Sequence, residues 1–259
     1  MVNDVMNEQY IKKPHLPTAD VTLVVMSARK PLLIEALKKL HIRIIPTEPL
    51  PMIRGEERYH ADMSFCHIGN SEIVVADSLS EDTFRKLTQE GFHCRKSFEA
   101  ITAEKSLLNV CLLGKQALCH TKYADQVLLQ LLAKHGVMIL HTNQRYTKCS
   151  SALIAENALI TADESVYRVC KQHQIDVLKI RSGHIGLSGY DYGFIGGCCG
   201  MISKDMLAFS GEIRQHPDYD IISAFAKNYG VRLLSLSKEP LYDIGGILPL
   251  KEENRTSGV

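Results

Sequence analysis

The sequence predicts an α/β (α+β) propeller in which five pseudo-symmetric ββαβ units surround a central axis. Three observations lead to this fold class. An amphipathic helix followed by a short loop and an apolar strand recurs five times in the 259 residues. Two short strand-like runs around a polar or glycine turn precede four of these helices. The chain also ends on an unpaired strand, so its two ends can close a ring. A two-domain α+β protein with coincidental repetition is the alternative.

The helices are predicted from apolar residues at three- and four-residue intervals, most clearly from Ala124 to Leu132 in the third. Gly91, Gly136 and Gly230 fall where a left-handed residue would end a helix. The predicted pairs of helix and following strand are residues 31–40 and 41–45, 80–90 and 91–94, 121–135 and 136–140, 163–174 and 175–180, and 217–229 and 230–236.

Each of the last four helices follows a predicted hairpin. The hairpins pair residues 63–68 with 73–76, 109–113 with 117–120, 152–155 with 158–161, and 200–202 with 206–209. The first unit has only the run 21–26 before its helix, and the terminal run 242–250 is expected to pair with it and close the ring. Residues 18–250 are therefore expected to form a single domain, with flexible polar termini at 1–17 and 251–259.

The amino-acid composition argues against several functional classes. The chain has 30 basic and 29 acidic residues, 45% apolar residues and 23% charged residues, which argues against disorder and against a phosphate-tracking or membrane-binding surface. No stretch approaches the ~18 apolar residues of a membrane span, and no basic start precedes an apolar run. Eight cysteines suggest free thiols in a reducing compartment. We expect a soluble cytoplasmic protein with no nucleic-acid or membrane partner and leave its oligomeric state open.

A ring of ββαβ units brings the first strand of every hairpin to the shared axis, so these strands are the first place to look for chemistry. His60 and Asp62 are two residues apart and would point to the same face of an extended strand. The imidazole can then move protons while the carboxylate holds a cation. The alternative is an aspartate that orients a surface histidine.

Two units later, Cys149 follows Lys148 on the same rim of the axis. A thiol beside a lysine and opposite His60 is expected to have a lowered pKa and to act as a thiolate nucleophile. The alternative is a cysteine that serves as a small buried hydrophobe.

Paired glycines stand at the start of two further axial strands. Gly196 and Gly197 precede Cys198 and Cys199, and Gly245-Gly246 follows Asp243. Glycine allows the backbone to approach a ligand or a neighbouring segment closely. A tight bend or a bulge explains these glycines equally well.

These residues resemble those of the penteins, the guanidino-group-modifying family that includes arginine deiminase, agmatine deiminase and dimethylarginine dimethylaminohydrolase, and also an uncharacterised bacterial branch of that fold. His60-Ala-Asp62-Met-Ser-Phe65 matches the family's His-x-Asp-x-x-Phe motif over a layout that spans roughly residues 18–250. The resemblance implies that His60 is catalytic and that Asp62 binds guanidinium. It also implies that Cys149, in a Cys-x-Ser context two units later, is the nucleophile.

The chain departs from the family at the Gly-Gly-Asp motifs whose acids hold the guanidinium. Its glycine pairs are followed by Cys198 and Ile247 instead, so the acids are missing in register, and Asp191 and Asp243 are off-register candidates. The units also begin at a different point on the ring, as in a circular permutation.

The leading prediction is a pentein-like cysteine-dependent hydrolase or deiminase without a metal cofactor, acting on a small guanidino, amidino or amide-type substrate in the central cavity. Cys149, His60 and Asp62 would be catalytic, and Cys198 or Cys199 would be the reserve nucleophile. The predicted substrate-binding residues are Lys148, Gly196, Gly197, Cys198, Cys199, Asp243, Gly245 and Gly246.

Two alternatives come from other classes. One is a non-catalytic pentein that binds a small molecule or a macromolecular partner. The other is a zinc site built from His60, Asp62, Cys66, His67 and the Cys198-Cys199 pair. The zinc site is disfavoured because adjacent residues on a strand, such as Cys66 and His67, point to opposite faces.

Overall fold

Five small mixed sheets make up the protein, for which a computed structural model describes residues 7–102 and 105–254. Unit one contains β1 (Glu8–Tyr10), β2 (Val21–Ser27), α1 (Pro31–Lys39) and β3 (Arg43–Thr47). Unit two contains a single helical turn, α2 (Ala61–Ser64), then β4 (Phe65–Gly69), β5 (Glu72–Val75), α3 (Glu81–Gln89) and β6 (His93–Lys96).

The remaining units repeat this order. Unit three contains β7 (Cys111–Leu113), β8 (Gln116–Cys119), α4 (Gln126–Lys134) and β9 (Met138–His141). Unit four contains β10 (Ser151–Ala155), β11 (Ala158–Thr161), α5 (Glu164–Gln172) and β12 (Asp176–Lys179). Unit five contains β13 (Cys199–Ser203), β14 (Met206–Phe209), α6 (Tyr219–Asn228) and β15 (Arg232–Ser235), and the chain returns to unit one as β16 (Leu248–Glu253).

Every sheet has the connectivity that the repeat predicts. The axial strand of a unit pairs antiparallel with its neighbour, and that neighbour pairs parallel with the strand beyond the helix. The axial strands β7, β10, β13 and β16 contact one another in succession. The predicted five-unit α/β propeller is therefore confirmed, and the starts of the axial strands meet near its centre.

The ring is closed by the end of the chain. As predicted, the terminal strand β16 pairs with β2, with Leu248 opposite Val25. It begins at residue 248 rather than 242, because Gly245 and Gly246 have φ angles of 74° and 80°, which an extended strand does not use.

Both predicted flexible termini contain paired strand residues. Tyr10 in β1 lies opposite Lys251 in β16, so the sheet of unit one has four strands. The expectation of flexible tails at 1–17 and 251–259 is wrong for residues 8–10 and 251–253, because these strands satisfy each other's backbone groups. Residues 1–6 and 255–259 lie outside the described part of the chain, and the domain limits at 18 and 250 stay a prediction.

The helix ends follow local chemistry. The side chains of Ser80, Asp125 and Asp163 each accept a hydrogen bond from the N–H three residues on and so begin α3, α4 and α5. Because Asp125 is such a cap, α4 is shorter than the predicted 121–135. Gly91, Gly136 and Gly230 have positive φ angles, as predicted.

Two further findings concern the chain as a whole. All eight cysteines are free thiols. Over residues 7–102 and 105–254, no helix has the length and apolar character needed to cross a membrane.

Candidate active site

Four buried side chains from three parts of the sequence meet at the starts of the axial strands. His60, Asp62, Cys149 and Asp243 have exposed fractions of 3%, 1%, 3% and 1%. The Cys149 thiol donates a hydrogen bond of 2.7 Å to Asp62 Oδ2. His60 Nδ1 lies 3.7 Å from Asp243 Oδ1, and ligand atoms of His60, Cys149 and Asp243 all lie within 4.8 Å of one another.

The backbone around His60 and Asp62 differs from the sequence prediction. His60 is extended, with φ −70° and ψ 128°, but Asp62 lies within the helical turn α2. The two side chains therefore do not share one face of a strand. Asp62 is fixed instead by its backbone N–H, which donates to the Gly245 carbonyl at 3.2 Å, so the closing segment of the ring holds it beside the sulfur.

Cys149 is held by two neighbouring units. Its backbone carbonyl accepts a hydrogen bond of 2.9 Å from Gly197 N–H, and its backbone N–H donates to the side-chain oxygen of Asn109 at 3.0 Å. Asn109 stands two residues before β7, at the position in unit three that corresponds to the site-bearing segments of the other units. Sequence reasoning did not assign it a role, although a polar residue before an apolar axial strand was the available signal.

Asp243 supplies the second carboxylate of the site. It was only an off-register candidate in the sequence, because it precedes its glycine pair instead of following it. Its oxygens accept the backbone N–H groups of Gly245 (3.0 Å) and Phe194 (2.9 Å), which directs the carboxylate towards the axis. The other candidate, Asp191, lies exposed on the surface.

The paired glycines allow these segments to pack tightly. A Cβ atom on Gly197 would lie 2.0 Å from Asp243 Oδ1, and one on Gly245 would lie 2.3 Å from His60 Cβ. A Cβ on Gly196 would lie 2.2 Å from the Ser151 carbonyl oxygen. Gly246 N–H donates to the Gly197 carbonyl at 2.8 Å, which joins the two glycine pairs. The close approach expected from sequence is thus an approach to neighbouring site residues.

Three other predicted residues lie beside this group. The buried Lys148 ammonium donates to the Gly196 carbonyl at 3.1 Å. Cys198 is fully buried, and its thiol donates to the Ile195 carbonyl at 3.2 Å. Burial raises the pKa of Cys198 well above its ordinary range and that of Cys199 to about 12, so neither thiol resembles a reserve thiolate.

The pKa of the Cys149 thiol is shifted in the direction opposite to the one predicted from the sequence. Burial raises the pKa of its thiol well above the ordinary range, and the carboxylates of Asp62 and Asp243 raise it further. Lys148 opposes this shift, but its effect is smaller than those of burial and of the two acids. The expected lowered pKa is wrong, because burial and the two acids outweigh the neighbouring lysine.

The pKa of Asp62 is also raised. Burial raises the pKa of its carboxyl group to about 6, with Asp243 adding to the shift, while His60 and Lys148 oppose it. Asp62 Oδ1 and His60 Nε2 are buried polar atoms without a hydrogen-bond partner among the described residues. The site therefore presents a free acceptor and a free ring nitrogen next to the sulfur.

In the part of the chain that the structure describes, the ligand-type side chains that converge differ from the set weighed in the sequence. Of the residues described, the converging ligand-type side chains are those of His60, Cys149 and Asp243. His67 Nε2 instead makes a 2.8 Å hydrogen bond with the Asn70 carbonyl, and Cys66 packs in the apolar core. Cys66 and His67 therefore take part in the packing and hydrogen bonding of unit two.

Comparisons with known proteins establish the fold. A family model described as a family of unknown function (DUF6873) matches residues 24–248. None of the curated protein sequences compared with the chain matches it. Among solved structures, an amidinotransferase of the saxitoxin pathway from Microseira wollei is 10% identical with a TM-score of 0.57, covering 96% of this chain and 98% of that one.

Two further solved structures agree with this likeness. An inosamine-phosphate amidinotransferase from Streptomyces griseus is 11% identical with a TM-score of 0.56, covering 97% of this chain and 98% of its own. A dimethylarginine dimethylaminohydrolase from Pseudomonas aeruginosa, complexed with citrulline, is 12% identical with a TM-score of 0.54, covering 91% and 100%. At such low identity the likeness concerns the fold alone, and the fold is that of the penteins.

Proposed function

The chain belongs to the DUF6873 family of unknown function, and we propose that this member is a cysteine-dependent hydrolase or deiminase of small guanidino or amidino compounds. The observation that carries the proposal is the placement of the Cys149 sulfur and the His60 imidazole among two buried carboxylates, Asp62 and Asp243. A nucleophile, a proton carrier and two anionic groups in one buried cluster suit a planar cationic electrophile.

The charge of the site favours a cationic substrate over a neutral amide or ester. Burying a carboxylate without a counter-ion is costly, and a guanidinium or amidinium group offers both positive charge and several N–H donors. The unpartnered Asp62 Oδ1 is available to accept one of those donors. The Lys148 ammonium donates to the Gly196 carbonyl, and among the described residues no ion pair joins it to either acid.

The proposed chemistry uses only these side chains and water. The thiol of Cys149 gives its proton to His60, and Sγ bonds to the central carbon of the substrate. His60 returns the proton to the leaving nitrogen as that carbon–nitrogen bond breaks. Water then attacks the thiouronium carbon while His60 accepts one of its protons. The carbon–sulfur bond breaks as His60 returns that proton to the Cys149 sulfur, and the remaining water proton goes to the released ammonia or amine. A guanidino substrate thus gives a ureido compound and ammonium or an alkylammonium ion, and an amidino substrate gives an amide in place of the ureido compound.

The raised pKa of Cys149 is compatible with this sequence of steps. Burial raises the pKa most and the two carboxylates raise it further, and a bound cation would offset the part that comes from the carboxylates. The thiol is then protonated at rest and becomes acidic when substrate is present, which protects it from reaction with other electrophiles.

The same observations favour a second function, a non-catalytic pentein that binds a small cation. A thiol that is 3% exposed and has a strongly raised pKa has the character of a structural cysteine. The carboxylates could hold a ligand without any covalent step. Turnover and a covalent adduct distinguish the two functions.

The test uses the purified chain with a panel of guanidino and amidino compounds, such as arginine, methylated arginines and agmatine. Release of ammonia or amine, formation of a ureido product and the mass of an acid-quenched adduct on Cys149 are measured. We expect turnover by the parent and by Cys94→Ser, whose cysteine lies outside the site, and none by Cys149→Ser. Binding by calorimetry without turnover or adduct across the panel would replace the hydrolase with the binding protein.

A further inference from the structure

Asn109 is a buried polar side chain that contacts the proposed nucleophile from unit three. Its exposed fraction is 1%, and it stands at the turn that leads into β7. Its backbone N–H donates to the Ser106 carbonyl at 2.7 Å, and its own carbonyl lies 3.0 Å from the Thr147 hydroxyl, whose shorter partner is the Leu118 carbonyl at 2.6 Å. The backbone of Asn109 is therefore held at its N–H group and contacts Thr147 at its carbonyl group, independently of the contacts of its side chain.

The side-chain oxygen of Asn109 binds the backbone that carries the sulfur. It accepts hydrogen bonds from the N–H groups of Lys148 at 2.9 Å and Cys149 at 3.0 Å. Two backbone donors on one atom identify that atom as oxygen, since an amide nitrogen cannot accept them. The orientation of the amide is thereby settled, and its NH₂ group must face the other way.

That NH₂ group lies against sulfur. Nδ2 is 3.5 Å from Cys149 Sγ and 3.9 Å from Met63 Sδ. The charged or titratable groups around the same sulfur include Asp62, Asp243, His60, Lys148 and Tyr146. Asp62 accepts from the thiol, so it favours the protonated sulfur. Asn109 donates to sulfur and bears no charge, so it favours the sulfur anion without adding a second cation.

We propose that Asn109 is a positioning residue that holds the Cys149 segment through its side-chain oxygen and stabilises the sulfur anion through its side-chain NH₂ group. The inference rests on the proposed function in taking Cys149 as the nucleophile. It assigns unit three a part in the site, so that all five units contribute backbone or side chains to the centre of the ring.

Two substitutions separate the two contacts. Asn109→Asp keeps an oxygen for the backbone N–H groups but replaces the NH₂ donor with a second carboxylate oxygen. Asn109→Leu has similar volume and removes both contacts. Asn157→Asp, in an exposed hairpin turn of unit four, is the matched control for the added charge.

The measurement is the rate of iodoacetamide alkylation of Cys149 from neutral to alkaline pH, read by peptide mass spectrometry, with the half-buried Cys94 as internal reference. We expect both Asn109 variants to alkylate Cys149 at least about tenfold more slowly than the parent at a given pH, which corresponds to about one pKa unit. Cys94 should keep its rate in Asn109→Asp and in Asn157→Asp.

A purely structural role predicts a different pattern. Asn109→Asp would then match Asn157→Asp, and Asn109→Leu would expose Cys149 and Cys94 together by loosening the fold. Either result overturns the inference. Alkylation is read without substrate, so absence of turnover would contradict the proposed function while leaving this comparison intact.

Discussion

Asp62 is the residue whose protonation links the site to the stability of the fold. Burial raises its pKa from the ordinary value of 3.8 to about 6, so the native protein binds its proton more tightly than the unfolded chain does. A carboxyl group with a raised native pKa contributes most stability when it is protonated in both states. That contribution is lost as the pH rises through the native pKa.

We therefore predict that Asp62→Asn changes the pH dependence of unfolding. Between pH 4 and 6 the free energy of unfolding of the parent should fall relative to that of the variant, by about 3 kcal/mol in total, and the difference should level off above pH 6. Chemical denaturation across this range measures it. Asn lacks the titration but keeps the shape of the side chain.

The comparison must be made between variants because other buried groups act in the same range. Burial lowers the pKa of His67 to about 4, so its contribution to stability is lost as the pH falls from its unfolded value, which is the opposite sign. Asp191→Asn, at an exposed position, is the control and should run parallel to the parent. A parallel curve for Asp62→Asn would refute the perturbed carboxyl group.

The sequence predicts the site residues where the spacing of the repeat units determines their position at the axis. The repeat brings His60, Asp62 and Cys149 together, because equivalent positions of different units must meet at the axis. It does not predict the raised pKa of Cys149, which follows from burial first and then from Asp62 and Asp243, and no in-register motif identifies Asp243. Asn109 was missed for a similar reason: its role is visible only once its amide is seen between the Cys149 segment and the sulfur.

At the scale of elements, the five helix ends share one backbone conformation but not one residue type. Units two, three and five end their helices with Gly91, Gly136 and Gly230 at positive φ. Units one and four place His41 (φ 60°) and Gln174 (φ 57°) at the same position. A residue with a Cβ atom is strained in this left-handed region, so the backbone conformation of these two residues lowers the stability of the fold.

We predict that Gln174→Gly stabilises the protein by about 1 kcal/mol, because glycine removes the left-handed strain at an exposed position. Gly136→Ala, where no atom of the described residues lies within 4 Å of the added Cβ, should destabilise it by a similar amount. Thermal and chemical unfolding of both variants measure the effect. Equal stability of Gln174→Gly and the parent would contradict the strain argument.

Elements of nine residues or more, and hairpins with a clear turn, were predictable because their signals are local. Apolar periodicity identifies all five long helices, and caps such as Asp125 correct their ends by a few residues. The single turn α2 is too short to show a period, so His60 and Asp62 were placed on a strand. That error changed the expected direction of the side chains but not their convergence, which the Gly245 carbonyl enforces.

At the scale of the whole molecule, a single segment of the chain both closes the ring and contributes a carboxylate to the site. The chain passes through Asp243, Gly245 and Gly246 immediately before it enters β16 and pairs with β2. The second carboxylate of the site therefore reaches the axis only when the two ends of the chain meet. Pairing of β1 with β16 extends this closure, which explains why residues 8–10 and 251–253 form strands.

Glu252 is the side chain that joins the ends most directly. It is 1% exposed, and its carboxylate accepts hydrogen bonds from the N–H groups of Thr18 and Ala19, the Thr18 hydroxyl and the Gln9 amide. Four donors around one buried carboxylate tie β16 to the segment that precedes β2. Such charge-assisted hydrogen bonds are stronger than neutral ones, and an unpaired buried donor is costly.

We predict that Glu252→Gln lowers the free energy of unfolding by about 2–4 kcal/mol, because its NH₂ group would face N–H donors in place of a carboxylate oxygen. Glu253→Gln, at the neighbouring exposed position, changes the same charge and should leave stability within about 0.5 kcal/mol of the parent. Denaturant unfolding of the two variants measures the difference. If both lost the same stability, the charge and not the hydrogen-bonded closure would be responsible, and β16 would not be the element that holds the ring shut.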